Sequence, residues 1–307
     1  MRAKVVGLAL LGWVSAGPVW AWGNEGHEVV ALIAQGFLTP KTVAAVNALL
    51  AQDDSALTAH TLPAAATWAD AYRASSPAAR AATHQWHFAD IELHGGTLAE
   101  ACFGFPALPA GTPASAGPAK DCHVDKIAEA AAELKAGSQA SAAEKILALK
   151  YLLHFVGDLH QPLHSANDHD SGGNAKAVSA PGLAAGNLHS FWDTQAVVAS
   201  GRHAEALASQ LAGALDRATF NGWYRGTPKA WAEETYAVAV STAYGALPAP
   251  NAAGVYELPD AYVAAARATA ATQLSKAGVR LAYVLNHAFD PRGRVPRPAA
   301  GAALLTR

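Results

Sequence analysis

Apolar residues recur along this chain at intervals of three and four, and the segments they define are long. Over 143–159, Ile146, Leu149, Leu153 and Val156 fall on one helical face. The same spacing, on alanine-rich backgrounds punctuated by proline or glycine, predicts helices over 27–38, 40–51, 65–75, 124–137, 204–219, 228–245 and 259–289. Few runs alternate as half-buried strands do, so the expected fold class is all-α. Two stretches escape the pattern: 103–121, rich in proline, glycine and alanine, and the glycine-rich 164–187. No linker-like change of composition and no repeat of fixed period divides the chain, which predicts one mainly helical domain over 22–290.

The ends read differently. Arg2 and Lys4, an apolar run from Val5 to Val14 and small residues up to Ala21 predict a secretory signal peptide over 1–21, too short for a stable membrane span. Cleavage after Ala21 would expose Trp22 and deliver the chain to the periplasm or the exterior. Residues 291–307 are expected to be a disordered tail. Hydrophobic residues make up 51% of the chain, ample for a sizeable core. The two cysteines, Cys102 and Cys122, flank the proline-rich stretch and fit an exported protein with one disulfide, two free thiols being the alternative. Because the first 21 residues carry two bases and no acid, 20 basic residues then face 24 acidic ones. A chain that holds nucleic acid through a basic surface should carry the opposite sign. Phosphodiester chemistry here would therefore need bound cations for most of its positive potential.

Candidate chemistry concentrates in one eleven-residue stretch, HFVGDLHQPLH, from His154 to His164. His154 and Asp158 stand four apart, about 40° from each other around a helix axis, and can reach one point. His189 and Asp193 repeat the spacing, while His164 follows Pro162, where a helix must end. Asp70 and His87 each follow a tryptophan closely in apolar segments. Each has an ordinary reading as a helix-stabilising pair, a packed histidine or a cap. Together, two i, i+4 His–Asp pairs, a post-proline histidine and a glycine-rich loop between them point to a multinuclear metal site.

In order along the chain stand Trp22, His27, WAD at 68–70, HFAD at 87–90, HFVGDLHQPLH, DSGGN at 170–174 and NLHSFWD at 187–193. This series resembles the secreted zinc-dependent single-strand nucleases known as S-one/P-one nucleases, relatives of the zinc-dependent phospholipases C. The resemblance implies a mainly helical domain with a trinuclear zinc cleft. It implies one Zn²⁺ on Asp70, His87, His154 and Asp158, and a second on the α-amine and carbonyl of Trp22 with His27 and the shared Asp158. The third falls on His164, His189 and Asp193. The implied chemistry is attack on phosphorus by a zinc-bridging hydroxide, with Asp70 and Asp158 holding the ions and Arg73 stabilising phosphoryl charge. Phe88 and Asp90 match positions that stack on and hydrogen-bond a base, and Asn174 positions the glycine-rich loop or touches that base. His160, about 240° from His154 around the helix, is read as structural. The implied substrates are single-stranded DNA, RNA and 3′-nucleotides, cleaved to 5′-phosphates by a monomer with no obligate protein partner and no membrane attachment. A zinc-dependent phospholipase C and a non-catalytic zinc-binding protein are the competing readings.

Overall fold

In the structure, a computed structural model, residues 22–102, 109, 111–198 and 203–298 are described. The expected signal peptide over 1–21, most of 103–110 and the end of the tail, 299–307, lie outside them. The principal helices are α1 (Gly23–Gln35), α2 (Pro40–Leu50), α3 (Trp68–Ser75), α4 (His123–Leu134), α5 (Ala142–Leu159), α6 (Arg217–Trp223), α7 (Pro228–Val238) and α8 (Asp260–Phe289). Among the described residues no helix is long and apolar enough to cross a membrane.

The centre of the domain is α5. Every residue from Ala148 to Leu159 is buried, as expected of a helix that is apolar all round and packed on all sides. Its three polar exceptions need partners there, because an unpaired buried charge is costly. Lys150 finds one in Asp53, which accepts from Nζ at 2.9 and 3.0 Å beneath the Trp68 ring. The other two, His154 and Asp158, find theirs in the site described below. Against this axis α1 and α8 pack side by side and run parallel. Gly26 of α1 faces Leu274 of α8, and further on Asn286 Nδ2 donates to the Phe37 carbonyl at 2.9 Å.

Several boundaries differ from the periodic reading. The expected helix over 204–219 is two helices, Ala204–Gly213 and α6, because Asp216 accepts the Thr219 N–H at 2.7 Å and starts a new one as its N-cap. The pattern over 228–245 contains α7 followed by a π turn, Ala239–Tyr244, and the pattern over 65–75 becomes a separate turn, Leu62–Ala65, ahead of α3. The glycine-rich stretch holds two short strands, β1 (Ala177–Ser179) and β2 (Gly186–Asn187), paired antiparallel. A third, β3 (Tyr256–Glu257), joins β1 in parallel, giving the order β2-β1-β3. The two cysteines form a disulfide with their Cα atoms 5.0 Å apart. Of the expected tail, the described part turns back at Gly293, whose N–H reaches the Asp290 carbonyl at 3.0 Å, and lays Val295 against the core.

Candidate metal centre

The C-terminal end of α5 brings His154 and Asp158 to one side, and five other segments converge on it. The start of α1 supplies Trp22 and His27, α3 supplies Asp70 and Arg73, and the short turn His84–His87 supplies His87. Pro162–His164 supplies His164, and a helical turn that widens to π geometry over Phe191–Gln195 carries His189 and Asp193. A π turn is a local departure that tends to occur at functional sites. Eight of the nine ligands expected from the resemblance are therefore brought together by their side chains, and Trp22 lies beside them through its indole.

Their ligand atoms fall into three clusters, each within 4.8 Å: His27, His154 and Asp158; Asp70, His87 and His154; His164, His189 and Asp193. Asp158 divides its two oxygens between the first two clusters. Its Oδ1 lies 3.4 Å from His27 Nε2, while its Oδ2 lies 3.0 Å from His87 Nδ1 and 3.2 Å from His154 Nε2. The third cluster has His189 Nε2 at 3.3 Å from Asp193 Oδ2 and His164 Nε2 at 3.7 Å from Asp193 Oδ1. A fourth grouping, Cys102, Cys122 and Asp125, offers no ligand sulfur because both are spent in the disulfide.

Backbone carbonyls fix the imidazoles. His154 donates Nδ1–H to the Ala66 carbonyl at 2.7 Å, His164 donates to that of His87 at 2.8 Å, and His189 to that of Gly172 at 2.7 Å. Each ring thereby turns its Nε2 toward its cluster, the orientation that metal-ligating histidines show. Gly172 serves this geometry through its conformation: φ is +62°, and an added Cβ would sit 2.7 Å from the Leu163 carbonyl oxygen. Gly157 serves through space, since a Cβ there would lie 2.7 Å from His27 Nδ1. The Trp22 indole, fully buried, donates Nε1–H to the Gly157 carbonyl at 2.8 Å and ties the start of α1 to α5.

The electrostatics call for cations. Asp70, Asp158 and Asp193 are each at most 1% exposed, and one arginine, Arg73, reaches the group, with Nη2 2.6 Å from Asp70 Oδ1. Burial lowers the pKa of His27, and holds His87 and His164 well below the usual histidine range, so these rings are neutral near pH 7. Burial pushes the Asp193 carboxyl up to about 6. Both nitrogens of His27, Asp70 Oδ2, His164 Nε2 and Asp193 Oδ2 are buried without a hydrogen-bond partner among the described residues. Neutral imidazoles and buried carboxylates with atoms left over are the donor set of a zinc site, and the residues fit such ions.

The remaining expected residues are nearby or accounted for locally. Phe88 is half-buried, edge-on to His84 with ring centroids 5.3 Å apart. Asp90 is half-buried, and burial pushes its carboxyl up to about 6. Asn174 stays within the glycine-rich loop, donating to the Ser171 carbonyl at 2.8 Å and accepting from Asn187 at 3.4 Å. His160 is buried behind the site: it donates to the Val156 carbonyl at 2.7 Å and accepts from Arg280 at 2.9 Å. Two supporting residues escaped the sequence reading. Gln161 donates to Asp193 Oδ1 at 2.6 Å and accepts the Leu163 N–H, and His123 donates to the His164 carbonyl at 3.1 Å. Gln161 stood inside the motif without an assigned partner, whereas nothing local marks His123.

Fold and site together define a mainly helical protein with buried His/Asp clusters that could hold metal ions. The model of the S1/P1 nuclease family matches residues 22–290, and the chain belongs to that family. It is 30% identical to Nuclease S1 of Aspergillus oryzae over 215 residues, covering 70% of this chain and 68% of that protein. It is 28% identical to Nuclease P1 of Penicillium citrinum over 287 residues (86% and 97%) and 28% identical to Endonuclease 2 of Arabidopsis thaliana over 309 residues (93% and 97%).

Proposed function

We propose that this chain is an exported zinc-dependent nuclease that hydrolyses phosphodiester bonds in single-stranded DNA and RNA, and 3′-nucleotides, to 5′-phosphate products. The observation that carries this reading is the convergence of three buried His/Asp clusters, several of whose atoms have no hydrogen-bond partner among the described residues. Membership of a nuclease family supports the choice of phosphodiester substrate over other metal chemistry.

Asp70, His87, His154 and Asp158 would hold one zinc, Trp22 through its amine and carbonyl with His27 and Asp158 a second, and His164, His189 and Asp193 a third. When bound, such ions supply Lewis-acid activation of water at neutral pH and neutralise charge on phosphoryl oxygens. Arg73 is the protein's own positive contribution. Its ion pair with Asp70 pins the guanidinium at the edge of the clusters, where it can donate to a non-bridging phosphoryl oxygen as charge builds. Phe88 offers a ring face and Asp90 a carboxyl to an unpaired base, which a duplex cannot present in the same way. His160 takes no part, because both its nitrogens are engaged in the core.

The test compares two forms of the protein, one beginning at Trp22 and one with an extra residue ahead of it. An α-amine with pKa near 7.7 to 8.0 can bind zinc once deprotonated, whereas an amide nitrogen cannot. The processed form is expected to bind three zinc ions and release 5′-phosphate ends from single-stranded DNA, and EDTA is expected to abolish this. The extended form should lose the ion shared by His27 and Asp158. Hydrolysis of phosphatidylcholine in place of DNA, or zinc binding without turnover, would overturn the proposal. Three zinc ions with full activity in the extended form would overturn the role of the Trp22 amine.

A further inference from the structure

Away from the metal centre, the sparse lysines and arginines are not evenly spread. Asn286 on α8 ties one end of the molecule together. Its Nδ2 donates to the Phe37 carbonyl at 2.9 Å and the Tyr224 hydroxyl at 3.0 Å, and its Oδ1 accepts the Thr39 N–H at 2.9 Å. Thr39 in turn donates its hydroxyl to Asp290 at 2.8 Å. The segments gathered by this hub carry Lys41, Arg217, Arg225, Arg292, Arg294 and Arg297, all exposed. None of the six forms an ion pair among the described residues. The carboxylates on the same segments are occupied, Asp216 as the cap of α6 and Asp290 with Thr39.

Aromatic rings lie among these cations. Tyr224 and Tyr283 are half-buried with centroids 5.3 Å apart, and exposed His287 sits 4.1 Å from Tyr283. Arg297 is close enough to Tyr224 to act on its phenol electrostatically. Because α1 and α8 run parallel, this end lies about 15 Å along α1 from His27, at ten residues and 1.5 Å per residue. The molecule thus gathers three buried carboxylates, Asp70, Asp158 and Asp193, at the candidate metal centre and sets unpaired cations with aromatic rings at the far end of the same helices.

We infer that this basic, ring-bearing pole is a second binding site for single-stranded nucleic acid, holding the backbone of a strand whose cleaved bond lies at the metal centre. The inference rests on the nuclease reading. Cations on a surface bind phosphodiester backbones by releasing counterions, and bases stack on ring faces without regard to sequence. Binding at the pole raises the effective concentration of a long strand at the metals, and does nothing for a substrate too short to reach both. An anionic membrane is the less favoured occupant, because among the described residues the exposed large apolar side chains are Leu57 and Val240, and neither stands on the segments of the pole.

The experiment measures binding of a fluorescent single-stranded oligonucleotide of about 20 residues to EDTA-treated full-length protein, as a function of salt. It is repeated with the triple variant Arg292→Ala, Arg294→Ala, Arg297→Ala and with vesicles containing phosphatidylglycerol. The wild type should bind, and the variant should show a Kd roughly tenfold higher at low salt with a log–log salt slope shallower by about 2. With zinc-loaded protein the variant should raise KM for a long strand and leave kcat/KM for a dinucleotide unchanged. The site is refuted if the variant binds the strand as tightly as wild type, if both substrates suffer equally, or if only vesicle binding is lost. Failure of the nuclease reading would leave the chelated binding result intact, so the two failures are separable.

Discussion

Gly157→Ala isolates one demand of the metal centre without touching a ligand. An added Cβ would stand 2.7 Å from His27 Nδ1 and 3.0 Å from Cε1. To reach ordinary van der Waals contact the imidazole must retreat by about 0.7 Å, in a region where Trp22, His27 and His154 are fully buried. The His27 ring has little room, since it stacks on His154 with centroids 3.8 Å apart. Overpacking of this kind costs about 1–3 kcal/mol, and alanine recovers about 1 kcal/mol of helix propensity, so the net loss is about 0–2 kcal/mol. Calorimetry of the chelated protein should therefore show Tm unchanged or lower by up to several degrees. Zinc analysis should show loss of the ion that depends on His27, because ligation does not survive a shift of that size. A glycine that merely sat in a helix would give the opposite sign. A raised Tm together with a full complement of zinc would refute this account of Gly157.

Three other outcomes follow from the geometry. Asp158→Asn should release more than one zinc and nearly abolish activity, because the two oxygens of Asp158 face different clusters, whereas His160→Ala should keep its zinc while losing about 1–3 kcal/mol of stability as buried Arg280 loses an acceptor; equal metal loss in both variants would contradict the assignment. Replacing Cys102 and Cys122 by serine opens a loop with a sequence separation of 20 and should cost about 3 kcal/mol on the chain-entropy model. Specific activity at low temperature should survive, provided His123, next to Cys122, keeps its bond to the His164 carbonyl. Burial and the Glu144 carboxylate push Glu133 up to about 7 from an ordinary 4.5, so the folded state binds this proton more tightly than the unfolded one. Stability contributed by that proton is present below pH 4.5 and lost as pH rises through 7, and Glu133→Gln should flatten the fall of Tm across that window.

The parts of this molecule that were legible in its sequence are those written locally. A helix face appears as spacing, so α5 could be read residue by residue, and a ligand pair four apart on that helix is already aimed at one point. Proline after Gln161 marks the end of the regular backbone, which frees His164 to face a different cluster from His154. Interactions closed across long separations left no such trace. His123 stands 41 residues from the carbonyl it holds, and Ala66 stands 88 residues from the imidazole that donates to it. The π turn under Asp193 was also hidden, since an i, i+4 pair reads the same way on either kind of helix. The break at Leu215–Asp216 was missed because an aspartate inside an alanine-rich run is ambiguous until its side chain is seen to cap Thr219.

Charge was the least legible property, and the reason is physical. Coulomb interactions act through space, while a count along the chain weighs a lysine paired with a buried aspartate and an unpaired surface arginine alike. Here Lys126, Lys150, Lys176, Lys276 and Arg280 are each committed to carboxylates, most of them in or near the core. The unpaired cations left by that sorting include the six at the Asn286 end. Meanwhile three buried carboxylates gather at the other end with Arg73 as their nearby cation. A net charge of either sign describes neither surface. The acidic end has the donors and the electrostatic deficit to hold cations, and the basic end has the unpaired charge to hold a polyanion; one strand spanning both would satisfy each without requiring a continuous basic groove.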